Sequence, residues 1–306
     1  GLLCASIFNR RRMIKHLAGL LLVLCASATD ALSSSAPGAA QRVKLAGISA
    51  SQFRHPLDRD LTDFLRRAPL SGLAEGGIRR ALAVAEQATR LDLLSSSVKV
   101  SEEQLPELHA TMADAAATLD LSTVPELYVQ NSPMANAYTL ALRSEDRPPL
   151  VVVTSALLDR CNEDEVRAII GHELGHLKSD HSLYLTLGGL AAAPLRGLPL
   201  VGGQAERLLQ EWRLAAEYTC DRAALLVAQD VDVVAGAMLK LFAGTARATN
   251  AKAFIDQARE YDRLLESANP LVRNSIRMQQ RTHPLPVRRL AELEKWFQGE
   301  AYAGIV

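Results

Sequence analysis

Two histidines and a glutamate lie within five consecutive residues of this chain, in the order His172-Glu173-Leu174-Gly175-His176. On a helix, residues four apart stand one turn apart on the same face, so both imidazoles can bind one zinc ion. Glu173 is rotated by roughly 100° from His172 and can reach the open coordination position of the metal as a general base. The pattern predicts metal-assisted hydrolysis. A polar helix face and a noncatalytic zinc site are the alternatives.

A catalytic zinc site needs a third protein ligand, and the sequence argues against a histidine shortly after His176. Ser179 and Ser182 occupy the positions where the metzincin pattern has glycine and histidine. His181 follows His176 by five residues, or about 140° around a continuing helix. That angle predicts a surface or capping histidine.

A second helical segment, predicted at residues 211–226, carries acidic residues that could complete the site. Glu217 and Asp221 are four residues apart and therefore share one face of this helix. A thermolysin-like site uses two histidines and one glutamate from a second helix. Asp221, one turn beyond Glu217, could then hydrogen-bond a ligating histidine. For this pair alone, a solvated helix face is the alternative.

The surrounding chain alternates helical and strand patterns, which predicts an α+β domain, mainly helical with a small sheet. Helices are predicted at residues 73–94 and 101–119. Asn162, with Glu165 three residues later, predicts the start of the helix that carries the two histidines. Three β-rich runs predict one sheet whose last two strands form a hairpin. These runs span residues 126–130, 135–142 and 150–154.

The composition excludes several classes of protein. Lys and Arg total 34, as do Asp and Glu, so no excess of positive charge indicates a nucleic-acid partner. No run of about 18 uncharged apolar residues occurs, which argues against several membrane spans. The four cysteines among 306 residues form no C-x-x-C pair and no disulfide framework.

The first 42 residues predict targeting rather than folded structure. Basic residues, a short apolar run and then small residues predict a signal peptide over about residues 13–31, with Met13 as the start. The following stretch lacks acidic residues and predicts a transit segment to about residue 42. Together they predict import into a plastid, to the thylakoid or stroma. Secretion or an endomembrane lumen is the alternative.

Residues 43–306 are predicted to form a single domain with an apolar insertion at about 183–203. Arg196 interrupts the apolar segment. Buried structure is therefore favoured over a membrane span, with a peripheral membrane contact as a further expectation.

The two helical motifs together resemble the HtpX-like and CAAX-prenyl-protease family of zinc metallopeptidases, number forty-eight among the metallopeptidase families. Other segments that match this family are Asn136-Ala137-Tyr138-Thr139-Leu140 and Thr282-His283-Pro284 with Arg288. The resemblance covers about residues 46–296. It looks closest to plastid and cyanobacterial members, which share residues 53–58 and 221–230.

The resemblance implies a zincin-like (gluzincin) fold, one zinc ion per chain and endopeptidase activity on protein or peptide substrates. It implies His172, His176 and Glu217 as the zinc ligands and Glu173 as the general base. Many members carry several membrane spans, which this chain lacks, so the CAAX branch is disfavoured.

Three further roles follow from the chemistry of single residues. His283 could stabilise the negative charge of the transition state, with a structural histidine before proline as the alternative. A strand edge at Asn136, Ala137 and Tyr138 could bind an extended substrate through main-chain hydrogen bonds, with an ordinary internal strand as the alternative. Cys220 has no partner for nucleophilic catalysis, which predicts a small buried thiol.

The sequence therefore predicts a zinc metalloendopeptidase in organellar protein quality control or processing. The alternative is a catalytically idle zinc-binding member that acts as an assembly or chaperone-like scaffold. The presence of all three ligands and the base favours the enzyme. A third possibility is a zinc enzyme that hydrolyses a non-peptide amide. The sequence does not predict the oligomeric state.

Overall fold

The structure, a computed structural model, describes residues 42–68, 71–140, 147–195, 201–247, 249–279 and 285–306. Residues Val43–Val306 form one unit. The predicted signal and transit segments lie outside the described residues, apart from Arg42.

Helices make up most of this unit, and a small mixed sheet lies among them, as the sequence predicts. In chain order the helices are α1 (Ala50–Phe53), α2 (Pro56–Arg67), α3 (Ser71–Ser96), α4 (Pro106–Thr118), α5 (Ser155–Arg160), α6 (Glu163–Lys178), α7 (His181–Ala192), α8 (Val201–Ala228), α9 (Val231–Ala243), α10 (Ala251–Ser267), α11 (Pro270–Gln279), α12 (Pro286–Phe297) and α13 (Glu300–Ala303). The strands are β1 (Ser97–Lys99), β2 (Glu126–Gln130), β3 (Ala137–Leu140) and β4 (Leu150–Thr154). A 3₁₀ turn, Ala193–Leu195, follows α7.

The described strands form one sheet in the order β1-β2-β4-β3. β2 and β4 run parallel, with Glu126 opposite Leu150. β3 is antiparallel to β4, with Ala137 opposite Val153, which confirms the predicted pairing of the last two runs. β1 pairs antiparallel with β2 and was missing from the prediction, because three residues carry too short a pattern to recognise.

The start of α4 differs from the prediction. The helix begins at Pro106 rather than Ser101. Leu105, which precedes the proline, has a left-handed φ of 61°. A residue before proline is disfavoured in the helical region, so the helix cannot extend backwards through it.

Helix α6 begins where the sequence predicts. The Asn162 side chain accepts a hydrogen bond from the Glu165 amide, and the Glu165 carboxylate accepts one from the Asn162 amide. This capping box satisfies two backbone donors at the start of the helix. Val166, Ile170 and Leu174 lie buried in the main core, so one face of α6 is fixed against the rest of the domain.

Helices α6 and α8 approach closely because two glycines of α6 face α8. A Cβ added at Gly175 would lie 2.8 Å from the Ala223 Cβ and 3.0 Å from the Cys220 Cα. A Cβ added at Gly171 would lie 2.8 Å from the Val227 Cβ. This approach sets the histidines of α6 opposite the acidic residues of α8.

The apolar segment predicted at 183–203 packs in part against the protein itself. Leu183, Tyr184 and Leu187 of α7 are buried in a second, smaller core with Leu209 and Trp212 of α8. In the described part of the chain, no helix is both long enough and apolar enough to cross a membrane. Contact of this segment with a membrane surface stays a prediction.

Replacing Gly175 with alanine is expected to lower the free energy of unfolding by about 1–3 kcal/mol, because the added methyl collides with α8. Gly77→Ala is the matched control, since nothing lies within 4 Å of a Cβ at this exposed position of α3. Helix propensity alone should make the control more stable by up to about 1 kcal/mol. Urea unfolding measures both changes, and equal stability of the two variants would contradict the close contact.

Candidate active site

Two imidazole nitrogens face one carboxylate between α6 and α8. Nε2 of His172 lies 3.7 Å from Oε2 of Glu217, and Nε2 of His176 lies 3.8 Å from Oε1. Both distances exceed the hydrogen-bonding range. They are closer to the roughly 3.3 Å between neighbouring ligand atoms of a tetrahedral zinc ion with bonds of about 2.0–2.1 Å. Two imidazoles and one carboxylate are a donor set that suits zinc.

The second nitrogen of His172 is held by α8. Nδ1 lies 3.1 Å from Oδ1 of Asp221, which is buried. Because a carboxylate only accepts hydrogen bonds, this contact places the imidazole proton on Nδ1 and the lone pair on Nε2. The structure thus brings Asp221 into contact with His172. Its role in supporting a metal ligand stays a prediction.

Arg289 of α12 balances the acidic charge at the site. It donates to Asp221 from Nε at 2.9 Å and from Nη2 at 2.5 Å, and its Nη1 lies 3.5 Å from Oε2 of Glu217. Nη2 also lies 3.2 Å from Nδ1 of His172. With the proton on Nδ1 this is a contact between two donors that share Oδ1 of Asp221 as acceptor, and not a hydrogen bond. Burial by itself raises the pKa of Asp221, but the Arg289 charge holds it below its ordinary value. Arg289 is not among the residues predicted from sequence; the matching motif includes only its neighbour Arg288.

The imidazole of His176 is suited to binding a metal. Burial, with the adjoining charges of His181 and His172, lowers its pKa to about 3. The ring therefore stays neutral at neutral pH, and a neutral ring keeps one lone pair for a ligand.

Glu173 lies on the side of α6 that faces the sheet. Its side chain is buried, and burial raises the pKa of its carboxyl to about 6. The carboxylate accepts a hydrogen bond from the backbone amide of Thr139, in β3. This contact holds the predicted general base between the histidines and the strand.

β3 is one of the two outer strands of the described sheet, with β1 at the other side, and it presents one backbone edge. The Thr154 amide donates to the Asn136 carbonyl at 3.0 Å, which makes these two residues a hydrogen-bonded pair of the antiparallel ladder. Because such pairs alternate along a ladder, the N–H and C=O groups of Ala137 and Thr139 point away from β4.

The three residues predicted to bind substrate lie along this edge. Asn136, Ala137 and Tyr138 all line a cleft of about 520 Å³ that also contains both histidines of α6. The Tyr138 ring packs on the other face of the sheet, against a cluster that includes Tyr128. The N–H and C=O of Tyr138 point toward β4, so among the three predicted residues Ala137 is the one whose backbone groups face the open edge.

The wall of the cleft away from β3 is apolar. Its side chains come from α6, α8 and α9 and include Ile169, Ala224, Val234, Met238 and Leu241. This wall favours an apolar group beside the metal-binding residues.

The prediction for His181 is wrong. The residue neither lies on the surface nor caps a helix. It is 2% exposed, with Nδ1 3.0 Å from Nδ1 of His176. The prediction assumed a continuous helix, but α6 ends at Lys178 and Asp180 has a left-handed φ of 52°. This break turns His181 back toward His176. His283 lies outside the described residues, and its predicted role stays a prediction.

Cys220 offers a different third donor. Its Sγ lies within 4.8 Å of donor atoms on both His172 and His176. The thiol is buried, as predicted, and burial raises its pKa well above the ordinary value. Because a thiol binds metal only after losing its proton, the Glu217 carboxylate is the better third ligand.

The sequence profile of peptidase family M48 matches residues 102–297, nearly two thirds of the chain. The chain belongs to peptidase family M48. Membership makes it a metalloprotease and implies a metal, generally zinc.

Several relatives of this M48 chain are known. The plastoglobule-localized metallopeptidase 48, chloroplastic, of Arabidopsis thaliana is 39% identical over 269 residues, 85% of this chain and 76% of that protein. A protease HtpX homolog of Moorella thermoacetica is 36% identical over 104 residues, 34% of each chain. This chain therefore aligns with only about a third of that relative. The crystal structure of S. mikatae Ste24p has a TM-score of 0.42 at 15% identity, over 78% of this chain and 60% of that one.

In this M48 chain, either Glu217 or Cys220 could be the third donor beside His172 and His176, and the two possibilities predict different effects of mutation. Glu217→Gln is expected to lower the zinc bound per chain at least about tenfold, because one of three protein ligands is lost. Cys220→Ala should leave zinc content unchanged. Glu211→Gln, an exposed position on the same helix, controls for the loss of a carboxylate. Metal analysis of dialysed protein distinguishes the two possible third ligands. Loss of zinc in Cys220→Ala, with zinc retained in Glu217→Gln, would assign Cys220 instead of Glu217.

Proposed function

We propose that this chain is a zinc-dependent endopeptidase with a gluzincin-type site that cleaves unfolded or extended protein segments. The observation that carries the proposal is the placement of Glu173 between the His172–His176–Glu217 donor set and the edge of β3. A protein that only bound zinc would have no need of a buried carboxylate between the metal ligands and a strand edge.

His172, His176 and Glu217 would hold the metal, and Asp221 would fix the orientation of His172. Bound zinc supplies a positive charge that lowers the pKa of a water ligand toward about 7 and polarises a carbonyl. Glu173 accepts the proton of the attacking water and passes it to the departing amine. The amide of Thr139 keeps the Glu173 carboxylate aimed into the cleft during both transfers.

The edge of β3 would bind the substrate as an added strand. Ala137 would offer its N–H and C=O and Thr139 its C=O, since the Thr139 N–H is held by Glu173. Recognition would therefore use the main chain of the substrate. The apolar wall of the cleft would select an apolar side chain near the cleaved bond.

We further propose that the protein works in a plastid, in quality control or processing. Support comes from the leader composition and from the chloroplastic, plastoglobule-localized Arabidopsis relative. A peripheral contact of residues 183–203 with a membrane belongs to this proposal.

Glu173→Gln is expected to lower casein cleavage by at least about 100-fold, because the variant cannot accept a proton from water. Zinc content should stay near one ion per chain, since Glu173 is not a ligand. Glu163→Gln, in the exposed first turn of the same helix, should cleave like the unaltered chain.

A metal chelator should abolish the same activity, and added zinc should restore it. Zinc bound by the unaltered chain without cleavage of casein or of unfolded proteins would refute the peptidase. That result would favour the idle scaffold.

Ala137→Pro is expected to raise the KM for extended substrates about 2–10-fold, because proline removes one backbone donor from the open edge. The pairing of β3 with β4 does not use this N–H, so zinc content and stability should change little. Ala137→Val keeps the N–H and is the matched control. Equal KM values for the two variants would rule out recognition through this edge.

A further inference from the structure

A line of buried polar side chains runs from His176 through His181, at the cleft wall, to Asp58 and takes no part in the proposed chemistry. Nδ1 of His176 lies 3.0 Å from Nδ1 of His181, and Nε2 of His181 lies 3.0 Å from Oδ2 of Asp58. His181 is 2% exposed and Asp58 is 0% exposed. Buried groups of this polarity are costly unless each one has a defined partner.

Asp58, at the inner end of this line, is surrounded by donors. Trp212 donates to Oδ1 from Nε1 at 2.9 Å, and Thr219 donates to Oδ2 from Oγ1 at 2.8 Å. Burial by itself raises the pKa of Asp58, but the hydrogen bond from His181, the charge of Arg54 and the hydrogen bond from Trp212 hold it well below its ordinary value. Asp58 is therefore an ionised carboxylate that can only accept hydrogen bonds.

The placement of each proton follows from that carboxylate. His181 must carry a proton on Nε2 to donate to Asp58. In a neutral ring, Nδ1 of His181 is then an acceptor. Two groups face this acceptor, Nδ1 of His176 at 3.0 Å and the thiol of Cys220 at 3.6 Å. The imidazole N–H is the nearer and the stronger donor, because a thiol donates only weakly. A proton on Nδ1 of His176 leaves its lone pair on Nε2, directed at Glu217.

We infer that Asp58 and His181 are positioning residues that hold His176 in its metal-binding tautomer and orientation. The inference rests on the proposed zinc site. Asp221 does the same for His172 from α8, so each histidine is fixed by its own carboxylate. The carboxylate that fixes His176 is Asp58, which acts through the imidazole of His181. Asp58 belongs to α2 and lies 114 residues before His172 in the chain.

Asp58→Asn tests this inference with almost no change in side-chain size. The Trp212 indole can only donate, so the amide oxygen must face Trp212 and the amide NH₂ must face His181. His181 then accepts at Nε2 and carries its proton on Nδ1. That proton points at His176, whose own proton has to move to Nε2 and blocks metal binding there.

The variant is expected to bind zinc about 10–100-fold more weakly than the unaltered 306-residue chain. Competition with a chromophoric chelator measures this affinity. Asp60→Asn, the same change at an exposed position of α2, should bind zinc normally. Thermal unfolding of the metal-free proteins shows whether Asp58→Asn folds.

A second substitution should reverse the effect. In Asp58→Asn with Trp212→Phe, no indole N–H remains, so the amide can turn its oxygen toward His181. The double variant is expected to bind zinc more tightly than Asp58→Asn alone. If Asp58 served only the stability of the fold, the double variant should bind zinc no more tightly than Asp58→Asn, because the destabilising effects of two core changes would add.

Histidine ¹⁵N NMR of the unaltered chain tests the same inference without any substitution. It should show His181 protonated on Nε2 and unprotonated on Nδ1. A proton on Nδ1 of His181, or normal zinc affinity in folded Asp58→Asn, would overturn the inference alone. An unaltered chain that binds no zinc would overturn the proposed function as well.

Discussion

The close packing of α6 against α8 is the contact on which the rest of the site depends. Gly171 and Gly175 contribute no side chain to the interface, so the backbone of α6 lies directly against Ala223, Val227 and the backbone of α8. This short distance between α6 and α8 brings the carboxylate of Glu217 within 3.7–3.8 Å of the Nε2 atoms of His172 and His176. The capping box at the start of α6 and the buried face of that helix then keep the register of the two helices fixed.

The residues predictable from sequence are those whose partners lie one helical turn away. The spacing of His172 and His176, and of Glu217 and Asp221, defines two faces without any knowledge of the fold. Arg289, Asp58 and His181 could not be placed in this way, because their partners are distant in the chain or lie beyond a helix break. The segment 53–58, one of those on which the resemblance to plastid and cyanobacterial members rests, was the available signal for Asp58, but it gave no indication of a role.

Periodicity and composition also had limits in the wider fold. They predicted three strands and the hairpin pairing, yet the order β1-β2-β4-β3 depends on contacts across the sheet that no local pattern encodes. The apolar segment after His181 illustrates the same limit. Its composition suits a membrane surface as well as a protein core, and Leu209 and Trp212 of α8 decide that Leu183 and Leu187 lie in a core.

The open edge of β3 has a consequence for what the proposed enzyme can attack. An edge accepts a partner strand only from a chain that is free of its own hydrogen-bonded structure over several residues. Native helices and central strands do not meet that condition, whereas termini, long loops and denatured chains do. Under the proposed function, loss of structure would thus mark a protein for cleavage, and the enzyme would spare folded neighbours even where they contain the apolar side chain that the cleft prefers.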